Sequence, residues 1–284
     1  MTNSDNFKLT VIIPAYNCAG YIEETLASVF NQTRKPYEIL VVNDGSTDNT
    51  ADVVSKYPAV RLINKTNQGP SETRNRGIQE SSGNWIAFLD SDDMWHPEKI
   101  EKVEQYIAAN PQTDMISTAF YIGNEESWKK ITPRRLYNPR DSFFIQLYRR
   151  SFIATSSVVI KKEILMKTGG FDTELLVAED LDLYLRVALA NANFHYFQEH
   201  LLYYRSHGES ITSNPLNAHR DIEKVFYKFR HQAGYKLYVK RMLIWSATTA
   251  QTLYGQRRYV DTSCVLLKMV IQLLKSPILY LTKD

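Results

Sequence analysis

Short apolar runs alternate with stretches whose apolar residues recur every three or four positions. Leu9-Thr10-Val11-Ile12-Ile13-Pro14 reads as a strand ended by proline. Ile22, Leu26, Val29 and Phe30 then fall on one helical face up to Asn31. Glu38 to Asn43 is a second strand, followed by the turn chemistry of Asp44-Gly45-Ser46-Thr47-Asp48, with Ser46 or Thr47 expected to cap a helix through Lys56. Val60 to Ile63 is a third strand, and Pro70 suits the start of the next helix, which ends near Gly77 or Gly83. The fourth strand, Trp85-Ile86-Ala87-Phe88-Leu89, runs into Asp90-Ser91-Asp92-Asp93. Four strand–helix alternations predict a parallel sheet with right-handed crossovers.

Beyond it, the pattern predicts a helix over 97–110, a strand over 114–121 and a helix over 143–150. A polar, aromatic and basic segment, 124–140, has no strong period and reads as loop or short hairpin facing an acceptor. Thr155 to Ile160 is a further strand, and the helix after it ends at Gly169-Gly170. Leu181, Leu185 and Ala188 mark a helix that opens with Glu179 and Asp180. Phe194 to Phe197 and Leu201 to Tyr204 look like a strand pair leading into a Gly/Ser loop that contains His207.

Composition narrows the class. With 284 residues, 44% hydrophobic and 23% charged, the chain is ordinary for a globular protein with a substantial core. A net charge of +3 is too mild to argue for nucleic acid. Cys18 and Cys264 offer no disulfide framework or metal spacing, which fits a reducing cytosol. The N-terminus lacks a signal-peptide core, and no apolar run is long enough to span a bilayer. The expected location is therefore cytoplasmic.

The polar oddities gather at strand carboxyl ends, where open α/β sheets place ligands: Tyr16 and Asn17, Asp44, Asn67 and Gly69, and Asp90 with Asp92. The three acids after the fourth strand repel one another, and a hard divalent cation with phosphate oxygens would relieve that. Asp92 is expected on the metal, with Asp90 acting on a ribose or through water; an acidic turn capping the next helix explains the same residues. Asp44 is a turn former or a reader of a base or ribose hydroxyl. Tyr16 packs or stacks on a base. Arg74 is a surface charge or a donor to a diphosphate. Glu179 and Asp180 are favoured by the helix dipole, or one of them, Asp180 the better candidate, points back as a general base. His207 is an idle loop residue or an extra metal ligand, which would tilt the site toward Mn²⁺ over Mg²⁺. Neither a Gly-x-Gly-x-x-Gly fingerprint nor a phosphate loop of the NTPase kind is present, so metal and Arg74 would have to neutralise a diphosphate.

Taken in order, Val11 to Asn17, Val41 to Asp48, Asn67-x-Gly-x-x-x-x-Arg74-Asn75-x-Gly77, Phe88 to Asp93, Glu179-Asp180 and Tyr204 to His207 resemble the inverting glycosyltransferases of family 2. The resemblance covers roughly residues 8 to 213. It implies a GT-A type fold: α/β, with a Rossmann-like, mostly parallel sheet flanked by helices. It also implies a nucleotide-diphosphate sugar as donor, UDP-linked, and a glycan or lipid-linked acceptor. By that likeness Pro14, Tyr16 and Asp44 hold the nucleoside, and Arg74 lies near the nucleotide. Asp90-Ser91-Asp92 corresponds to the Asp-x-Asp triplet with Asp92 on Mn²⁺ or Mg²⁺, and Asp180 to the catalytic base. His207 corresponds to a metal-contacting histidine of some members. Asn17, Asn67, Gly69, Ser91 and Glu179 complete the expected donor site.

A domain over 1–214 is thus expected to be followed by a helical extension over 215–284. In its last helix Lys268, Gln272 and Lys275 oppose Leu266, Met269, Val270 and Leu273. That surface suits packing on the first domain, a homodimer contact or peripheral contact with a membrane.

Overall fold

The computed structural model describes residues 7–124, 127–132, 141–206 and 214–274. Its first part follows the alternation read from the sequence: β1 (Leu9–Ala15), α1 (Ile22–Phe30), β2 (Glu38–Asp44), α2 (Thr50–Ser55), β3 (Arg61–Lys65), α3 (Pro70–Glu80) and β4 (Trp85–Phe88). There follow β5 (Met94–Trp95), α4 (Lys99–Ala109), β6 (Met115–Gly123), β7 (Lys129–Ile131), α5 (Phe143–Arg149), β8 (Val159–Lys161) and α6 (Lys162–Thr168). The chain continues through α7 (Glu179–Leu189), β9 (Phe194–Arg205), α8 (Pro215–Lys228), α9 (Arg230–Ala233), α10 (Tyr235–Gly255) and α11 (Tyr259–Leu274).

One sheet runs β3-β2-β1-β4-β8-β6-β9-β5, with β7 paired to β6. The β3-β2-β1-β4 portion is parallel throughout. β8 is antiparallel to β4 and β6, whereas β9 is parallel to β6. Alternate residues of β1 serve opposite faces, as the two-residue period of a strand requires. Ile12 joins Ile86 and Phe88 in a core shared with α5 and α7, while Val11 and Ile13 pack with residues of α1 and α4. All three are fully buried, each contributing about 1.5–3 kcal/mol. A close approach demands glycine at Gly83, where an added Cβ would lie 2.4 Å from the Lys8 carbonyl oxygen.

Several expectations change. Phe194 to Arg205 is one strand, not a pair: Gln198-Glu199-His200 carries no turn chemistry, and the chain absorbs the irregularity as register shifts around Ala119. Thr155–Ser157 is a turn of 3₁₀-helix, so the strand begins only at Val159. The second helix starts at Thr50, where Asp48, not Ser46 or Thr47, accepts the Thr50 N–H at 3.0 Å. In the segment read as loop or short hairpin, Lys129–Ile131 pairs antiparallel with Phe120–Ile122, and 125–126 and 133–140 lie outside the described residues.

The C-terminal helices are not detached. Val225, Phe226, Phe229 and Met242 belong to the core that contains α7. The outer face of α11 exposes Leu267, Val270 and Ile271, and no described helix is long and apolar enough to cross a membrane.

Candidate functional site

The loops after β1 and β2 are laced together by Asn17, held at φ 47°. Its side-chain oxygen accepts from Thr47 N at 2.8 Å and Asp48 N at 3.4 Å, and its own N–H donates to Ser46 Oγ at 3.0 Å. Asp44, at the end of β2, braces the next loop. Its Oδ1 accepts from Lys65 Nζ at 2.5 Å and Gln68 N at 2.9 Å, and its Oδ2 from Gly69 N at 2.8 Å. Gly69 adopts φ 90°, a region costly for other residues, just before Pro70 opens α3. This lattice leaves Tyr16 half exposed (51%) and Asn67 exposed along the same rim, with Pro14 half-buried beneath. The sequence flagged these residues as ligand-facing; the structure adds that Asn17 and Asp44 shape the rim.

At the centre lies Arg74 of α3, 6% exposed. One guanidinium NH₂ group donates to Asp90 Oδ1 at 2.7 Å and the other to Glu179 Oε1 at 2.8 Å. The Phe171 ring lies 5.4 Å from the guanidinium carbon. The loop after β4 and the first turn of α7, 89 positions apart in sequence (179 − 90), are thereby joined by one cation. α7 is entered through Ala178, a non-glycine residue at φ 65°, which turns the chain into the helix that opens with Glu179 and Asp180.

Burial lifts both acids. Glu179 is pushed up to about 7 by desolvation, with Arg74 opposing and Asp180 adding to the rise. Asp180 is also raised by burial, against the pull of the Leu181 N–H, which its Oδ1 accepts at 2.6 Å. Asp180 Oδ2 accepts a longer bond, 3.3 Å, from Thr155 Oγ1. Glu179 is thus tied to a cation, whereas Asp180 is held by an N–H and a hydroxyl alone.

Asp90, Asp92 and Asp93 line the other wall. The Asp90 N–H donates to Ser156 Oγ at 3.0 Å, and Ser91 carbonyl accepts from Thr25 Oγ1 at 2.8 Å. Asp93 is buried; burial and then the charges of Asp92 and Asp90 drive its carboxyl well above the carboxylate range. Its Oδ1 accepts the Arg205 N–H at 2.9 Å, while Arg205 Nε donates to the Asp92 carbonyl at 2.9 Å. The end of β9 is so fastened to the acidic turn. Tyr204 shares that field: burial, then Asp93, Asp90, Asp92 and Asp180, raise its hydroxyl. Behind Asp93 sits Lys99, fully buried, its Nζ donating to the Ser156 carbonyl at 3.0 Å. Burial holds that amine well below its usual value, with Asp93 opposing. Lys99, Thr155 and Ser156 were not singled out from sequence; nothing in their local pattern distinguishes them from a surface helix charge and a polar strand.

A divalent cation fits this wall. The donors, Asp92 and Asp90, are all oxygen, and the crowding that lifts Asp93 is what a cation offsets. Among the described residues no three metal-binding side chains form a cage, so the rest of the shell falls to phosphate and water, as hard cations such as Mg²⁺ permit. His207 lies outside the described residues.

The family model for glycosyl transferase family 2 matches residues 10–169. An uncharacterized glycosyltransferase of Haemophilus influenzae is 30% identical over 76% of this chain and 75% of its own length. A putative teichuronic acid biosynthesis glycosyltransferase of Bacillus subtilis, TuaG, is 28% identical over 77% of this chain and 90% of its own. Other relatives are longer: the match spans 31% of one from Rickettsia felis. Among solved structures, Staphylococcus aureus TarS 1–349 in complex with UDP-GlcNAc superposes with a TM-score of 0.66, at 19% identity over 90% of this chain and 89% of TarS 1–349. The mannosyltransferase PcManGT of Pyrobaculum calidifontis, in complex with GDP-Man and Mn²⁺, gives 0.64 at 20% identity, over 96% and 82% of the two chains.

Proposed function

Because this chain belongs to glycosyltransferase family 2 and has its GT-A fold, we propose that it moves a sugar from a nucleotide-diphosphate sugar, UDP-linked, to a hydroxyl of a glycan or lipid-linked acceptor, with inversion, in the synthesis of a cell-surface polysaccharide. The observation that supports this reading is Arg74, which joins Asp90 of the acidic turn after β4 to Glu179, the neighbour of the candidate base Asp180.

In this reading the exposed Tyr16 ring stacks on the base, and Asn17, Asp44, Asn67 and Gly69 set the rim that takes the ribose. Asp92, assisted by Asp90 and Ser91, would hold Mn²⁺ or Mg²⁺, which would supply positive charge beside the diphosphate. Arg74 adds positive charge and fixes Asp90 and Glu179. Asp180 takes the proton from the acceptor hydroxyl as that oxygen bonds to the anomeric carbon. The bond from that carbon to the diphosphate oxygen breaks on the opposite side, and the configuration inverts. A covalent retaining route needs a second carboxylate placed as nucleophile, and the engagement of Glu179 by Arg74 favours single displacement over it.

The test is UDP release from a panel of UDP-sugars with acceptor extract, with Mn²⁺ and with EDTA. Metal-dependent release from one donor, lost in Asp180→Asn with UDP binding retained and lost in Asp92→Asn with metal-dependent UDP binding weakened, supports the reading. Full activity of both variants refutes the assignment of residues. Tight UDP binding with no turnover of any donor would favour a non-catalytic nucleotide-sugar-binding protein.

A further inference from the structure

We propose that Asp221, carried on α8, is a positioning residue for Glu179 and Asp180, so that the C-terminal helices are part of the transfer apparatus. The proposal rests on the transferase reading above. Asp221 is fully buried. Its Oδ2 accepts the N–H of Leu176 at 3.0 Å and of Val177 at 3.2 Å. Its Oδ1 faces Arg220 Nε at 3.1 Å and Lys224 Nζ at 3.5 Å. Burial alone would raise this carboxyl; Arg220 and the two N–H groups outweigh it and hold Asp221 below its usual value. The carboxylate therefore stays charged, and charge-assisted bonds to two successive N–H groups are among the stronger ones available.

Those N–H groups belong to the residues immediately before Ala178. A left-handed conformation costs a non-glycine residue about 1–2 kcal/mol, so the chain at Ala178 relaxes unless both sides are restrained. On one side the Asp182 N–H donates to the Ala178 carbonyl at 3.0 Å and begins α7. On the other, Asp221 holds the two N–H groups directly before Ala178, beside the core packing of Leu175. A second tie from the same helix face, seven residues on, pairs Lys228 Nζ with Asp182 Oδ1 at 2.6 Å, and Asp182 is itself fully buried. α8 is fixed in turn: Val225, Phe226 and Phe229 are core residues, and Tyr148 Oη donates to the Phe226 carbonyl at 2.7 Å.

Three full-length variants test this: Asp221→Asn, which keeps one carbonyl oxygen for the two N–H groups, Asp221→Ser and Asp221→Ala. The expected result is a kcat loss of at least about tenfold in the alanine variant, a smaller loss in serine and near-retention in asparagine, with donor KM within about twofold; misplacing a catalytic group by about 1 Å can cost about a hundredfold. Hydrogen exchange at the Leu176 and Val177 amides should speed up in the alanine variant and not in asparagine. Equal kcat per folded molecule in all three refutes the proposal. So does failure of both serine and alanine variants to melt cooperatively, because Asp221 would then be a requirement of the fold. If the unaltered protein turns over no donor, the transferase reading fails, and this one with it.

Discussion

Replacing Arg74 by methionine isolates the charge that joins the two halves of the site. Side-chain exposures of 7% for Arg74, 28% for Asp90 and 13% for Glu179 mark both bonds as partly or wholly withdrawn from water. Removing one partner of such a pair costs about 3–5 kcal/mol, because the other charge stays buried without its counterion. Methionine keeps most of the volume against Phe171, so the lower end, about 3 kcal/mol, is expected. The loss should depend on pH. Arg74 is the group that opposes burial at Glu179, already at about 7; without it that carboxyl rises further. An acid raised in the folded state contributes stability below its unfolded value, and that contribution is lost as pH rises through the folded one. The penalty of Arg74→Met should therefore fall to less than about half near pH 5.5, where Glu179 is protonated with or without Arg74, and should grow as pH rises above about 7. Urea denaturation at the two pH values, followed by far-ultraviolet circular dichroism, measures both numbers. Adding Glu179→Gln to Arg74→Met should recover stability at the higher pH, with a coupling of about 1–3 kcal/mol. A loss below about 1 kcal/mol near pH 8, or an equal loss at both pH values, would show that the junction is not a buried electrostatic link.

The acid limb of kcat/KM against pH should lie above the ordinary carboxylate range, since burial raises both Glu179 and Asp180, Glu179 to about 7; a limb at about 4–5 would contradict the burial described. EDTA should abolish turnover, and Mn²⁺ or Mg²⁺ should restore it in the unaltered protein but not in Asp92→Asn, as followed by UDP release. Gly83→Ala places a Cβ 2.4 Å from the Lys8 carbonyl and 2.6 Å from Thr10 Oγ1, atoms of a central strand and its approach. A destabilisation of about 1–3 kcal/mol in urea is expected, and an unchanged midpoint would contradict the packing at the β1–β4 edge.

The alternation of apolar runs and helical spacings determined the first half of the fold, because β1, β2 and β4 are buried on both faces and each crossover is local in sequence. Turn chemistry and the strand-end rule likewise bring Tyr16, Asn17, Asp44, Gly69 and the acids after β4 into one expected crevice. What sequence could not determine were relations made by packing between distant segments. The polar Gln198-Glu199-His200 stretch carries no sign that it continues one strand, since β9 takes up its extra residues as a bulge against Ala119 of β6. Lys99 looks like any surface lysine until the Ser156 carbonyl and Asp93 are placed around it. Glu179 acquires its raised value, and Arg74 its two carboxylate partners, only when α3, the turn after β4 and α7 meet. Asp221 lies 45 residues from Leu176, and its role exists only because α8 folds back against the entry to α7. Periodicity reports which face of an element is buried; burial of charge, and what compensates it, belongs to the tertiary structure, because desolvation depends on every neighbour at once.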